Sequence, residues 1–275
     1  MVFSLEIEMK NISHIGFVLT ALVWLIAYPG HAMAEAEDNW GMLKEAFFAG
    51  KTVEVNSKLI KLDAPKRAES GAQVPFSFAI QQPMTNESFV KSVYVLVGVN
   101  PVPLVGIFHF SPSSGKAEIS TRIRLERDSY IHVIAETNDG KLYMNAIPVR
   151  AAGGCGGTVE GDEKQIRAEA GRLKLTVNNP VRMGEANQGK LMIKHPMYTG
   201  LQRDLVSQGF RPAFFANKAI IRFQGKSVLD ADLAIGMSED PLIQFNFVAE
   251  TPGELDVEVH DNEGGVFKKS IQVNG

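Results

Sequence analysis

The sequence predicts an all-β protein, two β-sandwiches in tandem behind one short helix. Three observations predict it: two blocks of short segments that alternate apolar and polar residues, turn signals between those segments, and a glycine-rich break at the midpoint. The length of 275 residues suits two domains rather than one.

The chain opens on a segment set apart from the fold. Lys10 precedes an apolar run from Ile12 to Ala27, and Ala32-Met33-Ala34 follows. A basic start, a short apolar stretch and an A-x-A site make a secretory signal peptide. Residues 1–34 are therefore expected to be removed, with the mature protein starting near Glu35. The apolar run is shorter than the ~20 residues a membrane span needs, so the mature protein is expected to be soluble.

A helix comes next. Trp40, Leu43 and Phe47 fall on one helical face. Asp38 is placed to cap its start and Gly50 to end it.

Strands fill the rest of a first domain, 35–150. Ala117, Ile119, Thr121, Ile123 and Leu125 alternate with Glu118, Ser120, Arg122 and Arg124, the pattern of a half-buried strand. Val93 to Val97 is a continuous apolar run suited to a central strand. Ile131–Ala135 and Leu142–Val149 flank Asn138-Asp139-Gly140, a hairpin turn.

Residues 151–165 break the pattern and read as a glycine-rich loop and linker. A second strand series then occupies 166–275. Leu173, Leu175 and Val177 alternate with polar neighbours, as do Ile243, Phe245 and Phe247, and Leu255, Val257 and Val259. Gln224-Gly225 and Asn262-Glu263-Gly264-Gly265 mark turns. Many short strands in each block imply sandwiches of the immunoglobulin-like type. Everything after the first helix reads as strand or turn.

Several function classes are excluded. A net charge of −3 without a basic cluster argues against nucleic acid. There is no CxxCH haem motif, GxSxG elbow or GxGxxG unit. Blue copper wants His and Met close behind its Cys, and here the next histidine after Cys155 is His195. No metal is expected. His109, His132 and His260 fall on predicted strands at outward or edge positions and read as ordinary surface or hydrogen-bonded residues rather than a catalytic set.

The remaining feature is Gly153-Gly154-Cys155-Gly156-Gly157, around the only cysteine of the chain. A lone cysteine in an exported protein cannot staple its own chain; it is a passenger or a reactive thiol. Four glycines leave the thiol on a thin, bendable backbone, expected to be exposed and mobile. The same residues also read as a glycine linker with an incidental cysteine. An ordinary thiol has a pKa of about 8.5. Arg150 is the nearest cation in sequence, Glu160 opposes it, and no base is adjacent.

Further stretches carry a family resemblance. Ala64 to Glu69, Gln73-Val74-Pro75, Asn100 to Leu104, Thr121 to Arg124 and Gly153 to Gly157 resemble SoxY. His195-Pro196-Met197-Tyr198-Thr199-Gly200, Arg203-Asp204 and Pro212-Ala213 resemble SoxZ. The chain thus resembles a fused SoxY–SoxZ protein, like those encoded beside quinoprotein dehydrogenases. The resemblance implies a periplasmic carrier for sulfur (thiosulfate) oxidation, not itself an enzyme, and two immunoglobulin-like domains paired within one chain. Cys155 would hold sulfur intermediates covalently for partner enzymes, with Gly153, Gly154, Gly156 and Gly157 as the carrier loop and no cofactor beyond those adducts. The alternative is an adapter for a dehydrogenase system that works through its surface and not through the thiol. One departure matters. In the separate SoxY subunit the motif is a free C-terminal arm, whereas here the chain runs on to Gly275 and the arm becomes a loop. The His195–Gly200 turn is expected to serve structure or the contact between domains.

Overall fold

The computed structural model describes residues 38–159 and 161–275. The expected signal peptide and its cleavage site lie outside the described residues, as does Glu160.

The N-terminal half carries α1 (Trp40–Phe48), β1 (Val53–Val55), β2 (Ile60–Asp63), β3 (Val74–Ile80), β4 (Val90–Val97), β5 (Leu104–Phe110), β6 (Ala117–Ile123), β7 (Ser129–Thr137) and β8 (Leu142–Val149). The C-terminal half carries β9 (Thr158–Val159), α2 (Glu163–Glu169), β10 (Leu173–Val177), β11 (Ala186–Ile193), β12 (Arg203–Asp204), β13 (Ala216–Phe223), β14 (Lys226–Leu233), β15 (Leu242–Val248), β16 (Gly253–Asp261) and β17 (Val266–Val273).

The alternation read from the sequence is the alternation of burial. In β6, Ala117, Ile119, Thr121 and Ile123 are buried and the residues between them are not. β4 is buried along nearly its whole length because it lies between β5 and β7. The Asn138–Gly140 turn joins β7 to β8, with Gly140 at φ 81°. Gln224 and Gly225 both take positive φ between β13 and β14, the backbone twist a tight hairpin needs.

Both sheets run through both halves. The larger has nine strands in the order β1-β8-β7-β4-β5-β14-β13-β16-β17, and the smaller six in the order β10-β11-β15-β6-β3-β2. The halves therefore join edge to edge, antiparallel. β5 pairs β14 from Phe110↔Leu229 to Gly106↔Leu233, and β6 meets β15 at Ser120↔Gln244. Strand edges that would otherwise expose unpaired backbone are consumed at this seam. His109 and Asp232 reinforce it, Nε2 to Oδ2 at 3.0 Å.

One apolar core follows the sheets across the seam. Phe76, Phe78, Phe108 and Phe110 from the first half and Phe223, Phe245 and Phe247 from the second belong to the same buried cluster. Phe78 and Phe108 meet edge to face at 5.7 Å. Burying each such ring stabilises by about 1.5–3 kcal/mol.

Three local outcomes differ from the sequence reading. In α1 the fully buried side chains are Leu43 and Phe48; they cover Leu96, Ile134, Leu142 and Met144 of the large sheet, and Trp40 and Phe47 flank them. Asp38 does accept the Trp40 amide at 3.0 Å. His132 does not face outward; of the surface and hydrogen-bonded readings it takes the second. It is 1% exposed under the stacked Trp40 ring, with Nε2 3.0 Å from Asp38 Oδ1, and burial pushes its pKa down. The second half also holds a helix, α2, whose N-cap Asp162 accepts from the Lys164 and Gln165 amides. Asp162 followed three residues later by Gln165 is a capping signature visible in the sequence.

Candidate functional site

Cys155 sits at the seam, and it is buried. Its residue is 2% exposed, which corrects the expectation of an exposed thiol. The physical reason is that the glycines let the backbone approach a wall that no side chain could reach. A Cβ built on Gly154 would lie 2.2 Å from the Gly71 carbonyl oxygen and 2.4 Å from that of Leu125. One on Gly71 would meet the Ala152 oxygen at 2.4 Å. Two glycines thus face each other where the loop presses on the first domain.

Hydrogen bonds fix the loop on that side. The Gly153 amide donates to the Glu126 carbonyl at 2.8 Å and the Gly154 amide to the Leu125 carbonyl at 3.0 Å. The Cys155 amide donates to Glu126 Oε2 at 2.8 Å. Upstream, the Ala151 amide donates to Asp128 Oδ1 at 2.9 Å.

The second half holds the other side. Thr199 Oγ1 receives the Leu201 amide at 3.1 Å and donates to the Cys155 carbonyl at 2.8 Å. The Arg203 amide donates to the Gly157 carbonyl at 2.9 Å, and β12 pairs in parallel with β9 just beyond. The expected interdomain role of the His195–Gly200 turn is met by Thr199, which closes onto the cysteine itself.

Arg124 ties these parts together. It is 3% exposed. Its Nη1 donates to the Gly154 carbonyl at 3.1 Å, Nε to Met237 at 3.0 Å and Nη2 to Met197 at 3.3 Å. Asn100 positions this segment, donating to the Arg124 carbonyl at 2.8 Å and accepting from the Glu126 amide at 3.0 Å. The cation beside the thiol is therefore Arg124; the Arg150 backbone instead bonds to Lys66 and Ala68. Sequence distance hid this pairing, although Arg124 and Thr199 both lie in the stretches that carried the family resemblance.

The electrostatics hold the docked thiol neutral. Burial pushes its pKa up to about 12, the Glu126 carboxylate adds to the rise, and Arg124 offsets part of it. Since the thiolate is the nucleophile, a covered thiol held neutral in this way is a weak one.

His195 completes the neighbourhood as a structural residue. It is fully buried against Phe214, ring centres 4.3 Å apart. Its Nδ1 accepts from the Met197 amide at 3.3 Å, and its Nε2 faces Asp261 Oδ2 at 4.0 Å. Burial lowers its pKa to about 4, so the ring is neutral. The segment beyond β12 is braced by Asp204, which accepts the Val206 and Ser207 amides at 2.8 and 2.7 Å and pairs with Arg211. That brace displays Leu205, Val206 and Phe210 to solvent.

Comparison with known proteins gives two family matches in this order. The model of "Sulfur oxidation protein SoxY" matches residues 44–155, ending on the cysteine, and that of "Sulphur oxidation protein SoxZ" matches 175–272. No curated protein matches the chain. Among solved structures, the sulfur carrier protein SoxY from Chlorobium limicola f thiosulfatophilum is 26% identical at a TM-score of 0.35, over 41% of this chain and 96% of that one. The superoxide reductase (neelaredoxin) of Ignicoccus hospitalis is 10% identical at 0.33, over 36% and 94%.

Proposed function

We propose, from the premise that this chain belongs to the SoxY and SoxZ families of sulfur oxidation proteins with both domains fused in one polypeptide, that it carries sulfur intermediates covalently on Cys155 in the periplasm. The observation that supports the reading most is the place of the cysteine. The only cysteine of the chain ends the SoxY match, and its backbone is held by Glu126 at the Cys155 amide and Thr199 at the Cys155 carbonyl, with Arg124 on the adjacent Gly154 carbonyl.

A carrier needs a thiol that can be covered and presented. Attachment makes an S–S bond as the thiol loses its proton. When the incoming group is a thiosulfate anion, two electrons are also released, and a partner enzyme has to accept them. The chain supplies attachment and delivery; the partner supplies the chemistry. Membership of two sulfur oxidation families supports a carrier role, and the expected export segment 1–34 supports a periplasmic site of work.

The fused topology limits delivery. The loop is held at Ala151 and again at Gly157. Only Gly156 separates Cys155 from the Gly157 anchor, against three residues on the Ala151 side, so the shorter arm limits the reach to about 7 Å once released. Partners must therefore present a shallow entrance, or come close to the seam.

The second reading, an adapter for a quinoprotein dehydrogenase system, is favoured by one observation: the thiol is covered and the neighbouring Leu205, Val206 and Phe210 are exposed. Cys155→Ser separates the two. The carrier reading expects loss of the cellular sulfur-oxidation phenotype with the fold intact, and sulfur-containing mass increments on Cys155 in protein from its native host. An unaltered phenotype in Cys155→Ser gives the adapter its place.

A further inference from the structure

Resting on the carrier reading, we infer that Glu126 is a positioning residue that makes docking of the loop depend on the charge borne by Cys155: the neutral thiol is held in the seam, and an anionic sulfur adduct is expelled from it. The geometry carries the argument. Glu126 Oε2 is fixed by the Cys155 amide at 2.8 Å, so the carboxylate stands over the very residue that bears the cargo. Its main chain also receives the Gly153 amide. One residue thus both grips the loop and charges the pocket.

A neutral thiol meets no penalty there. An adduct ending in a sulfonate or a terminal sulfide brings a negative charge to a position 2% exposed and beside a carboxylate. Burial and like charge act together against it. Two other carboxylates belong to the surroundings, Asp128 holding the Ala151 amide and Glu239 acting on Arg124. Arg124 is the group that pulls the other way. Its Nε, Nη1 and Nη2 are engaged by the carbonyls of Met237, Gly154 and Met197, so it must break a docking bond to turn toward the cargo. The upward shift of the thiol agrees that the net field opposes an anion.

The consequence suits a tethered carrier. An empty carrier keeps its thiol covered from oxidants. A loaded one presents its cargo without a separate signal, because the cargo supplies the charge that undocks the loop.

The test uses two nearly isosteric adducts on the full mature chain. Iodoacetate and iodoacetamide each react with the Cys155 thiolate: an S–C bond forms, the C–I bond breaks, iodide leaves and the thiol proton goes to solvent. The products are carboxymethyl, an anion, and carbamidomethyl, which is neutral. Hydrogen exchange is then read at the Gly153, Gly154 and Cys155 amides. In the wild type the anionic adduct should exchange about tenfold faster than the neutral one, the order expected for one like-charge contact in a partly wet site. In Glu126→Gln that ratio should fall severalfold, to the part that burial alone leaves after Arg124 offsets some of it. Thr199→Val, which loses a docking bond and keeps the charge, should speed exchange of both adducts and preserve the ratio. Equal exchange of the two wild-type adducts overturns the inference, as does a ratio that survives Glu126→Gln undiminished or vanishes in Thr199→Val. The measurement needs no partner enzyme, so it stands or falls separately from the Cys155→Ser phenotype that tests the carrier reading.

Discussion

Gly154→Ala should open the carrier loop, and the size of the effect follows from two backbone contacts. The new methyl would lie 2.2 Å from the Gly71 oxygen and 2.4 Å from the Leu125 oxygen. Both are main-chain atoms in hydrogen-bonded segments; the Leu125 amide itself donates to the Gly71 carbonyl at 2.8 Å. No rotamer change relieves the overlap. Overpacking of this kind costs about 1–3 kcal/mol. The cheapest escape is to unseat the loop, and each 1.4 kcal/mol is about tenfold in population. The open fraction should rise about five- to a hundredfold. The assay is the rate of Cys155 alkylation by iodoacetamide in native buffer at a fixed pH, normalised to the rate in denaturant. Cys155 is the only cysteine, so the signal has one source. Gly156→Ala is the control, because nothing lies within 4 Å of its Cβ and its φ is not positive. It should label within about twofold of wild type, as an uncrowded change does. The reasoning fails if Gly154→Ala labels as slowly as wild type, or if Gly156→Ala accelerates labelling equally.

Two further outcomes probe the frame around the loop. His195 has a folded pKa of about 4 against an ordinary 6.5, so the unfolded chain takes up its proton first. Its contribution is complete above about pH 6.5 and is lost as pH falls toward about 4, worth on the order of 3 kcal/mol. Denaturant titrations should show wild type losing more stability over that window than His195→Asn; His132, shifted in the same direction, is present in both proteins. Parallel losses would refute a buried neutral ring. Phe108→Ala removes a side chain 1% exposed in the shared core and should cost about 3–5 kcal/mol, in a single thermal transition. Two separated transitions would show that the halves do not unfold as one unit.

The amino-acid sequence by itself determined the strands, the turns and the cysteine motif. Period-two alternation in Ala117–Leu125 is a local property, and a strand that buries one face preserves it whatever it packs against. The same holds for the Asn138–Gly140 turn, whose backbone demands are met by its own residues. The capping pair Asp162 and Gln165 was equally local and marked a helix that the strand pattern passed over. What only the tertiary structure decided is where the halves meet and what they do to the thiol. Edge pairing of β5 with β14 joins residues more than a hundred positions apart, and no local pattern names an edge partner. The environment of Cys155 has the same origin. Glycines around a cysteine are equally compatible with a free loop and with a loop pressed against another backbone. Gly71, Arg124, Glu126 and Thr199 decide between them, and they converge only because two sheets cross the seam. Glycine permits close approach, but the burial, the neutral thiol and its grip come from the wall that the fold sets opposite.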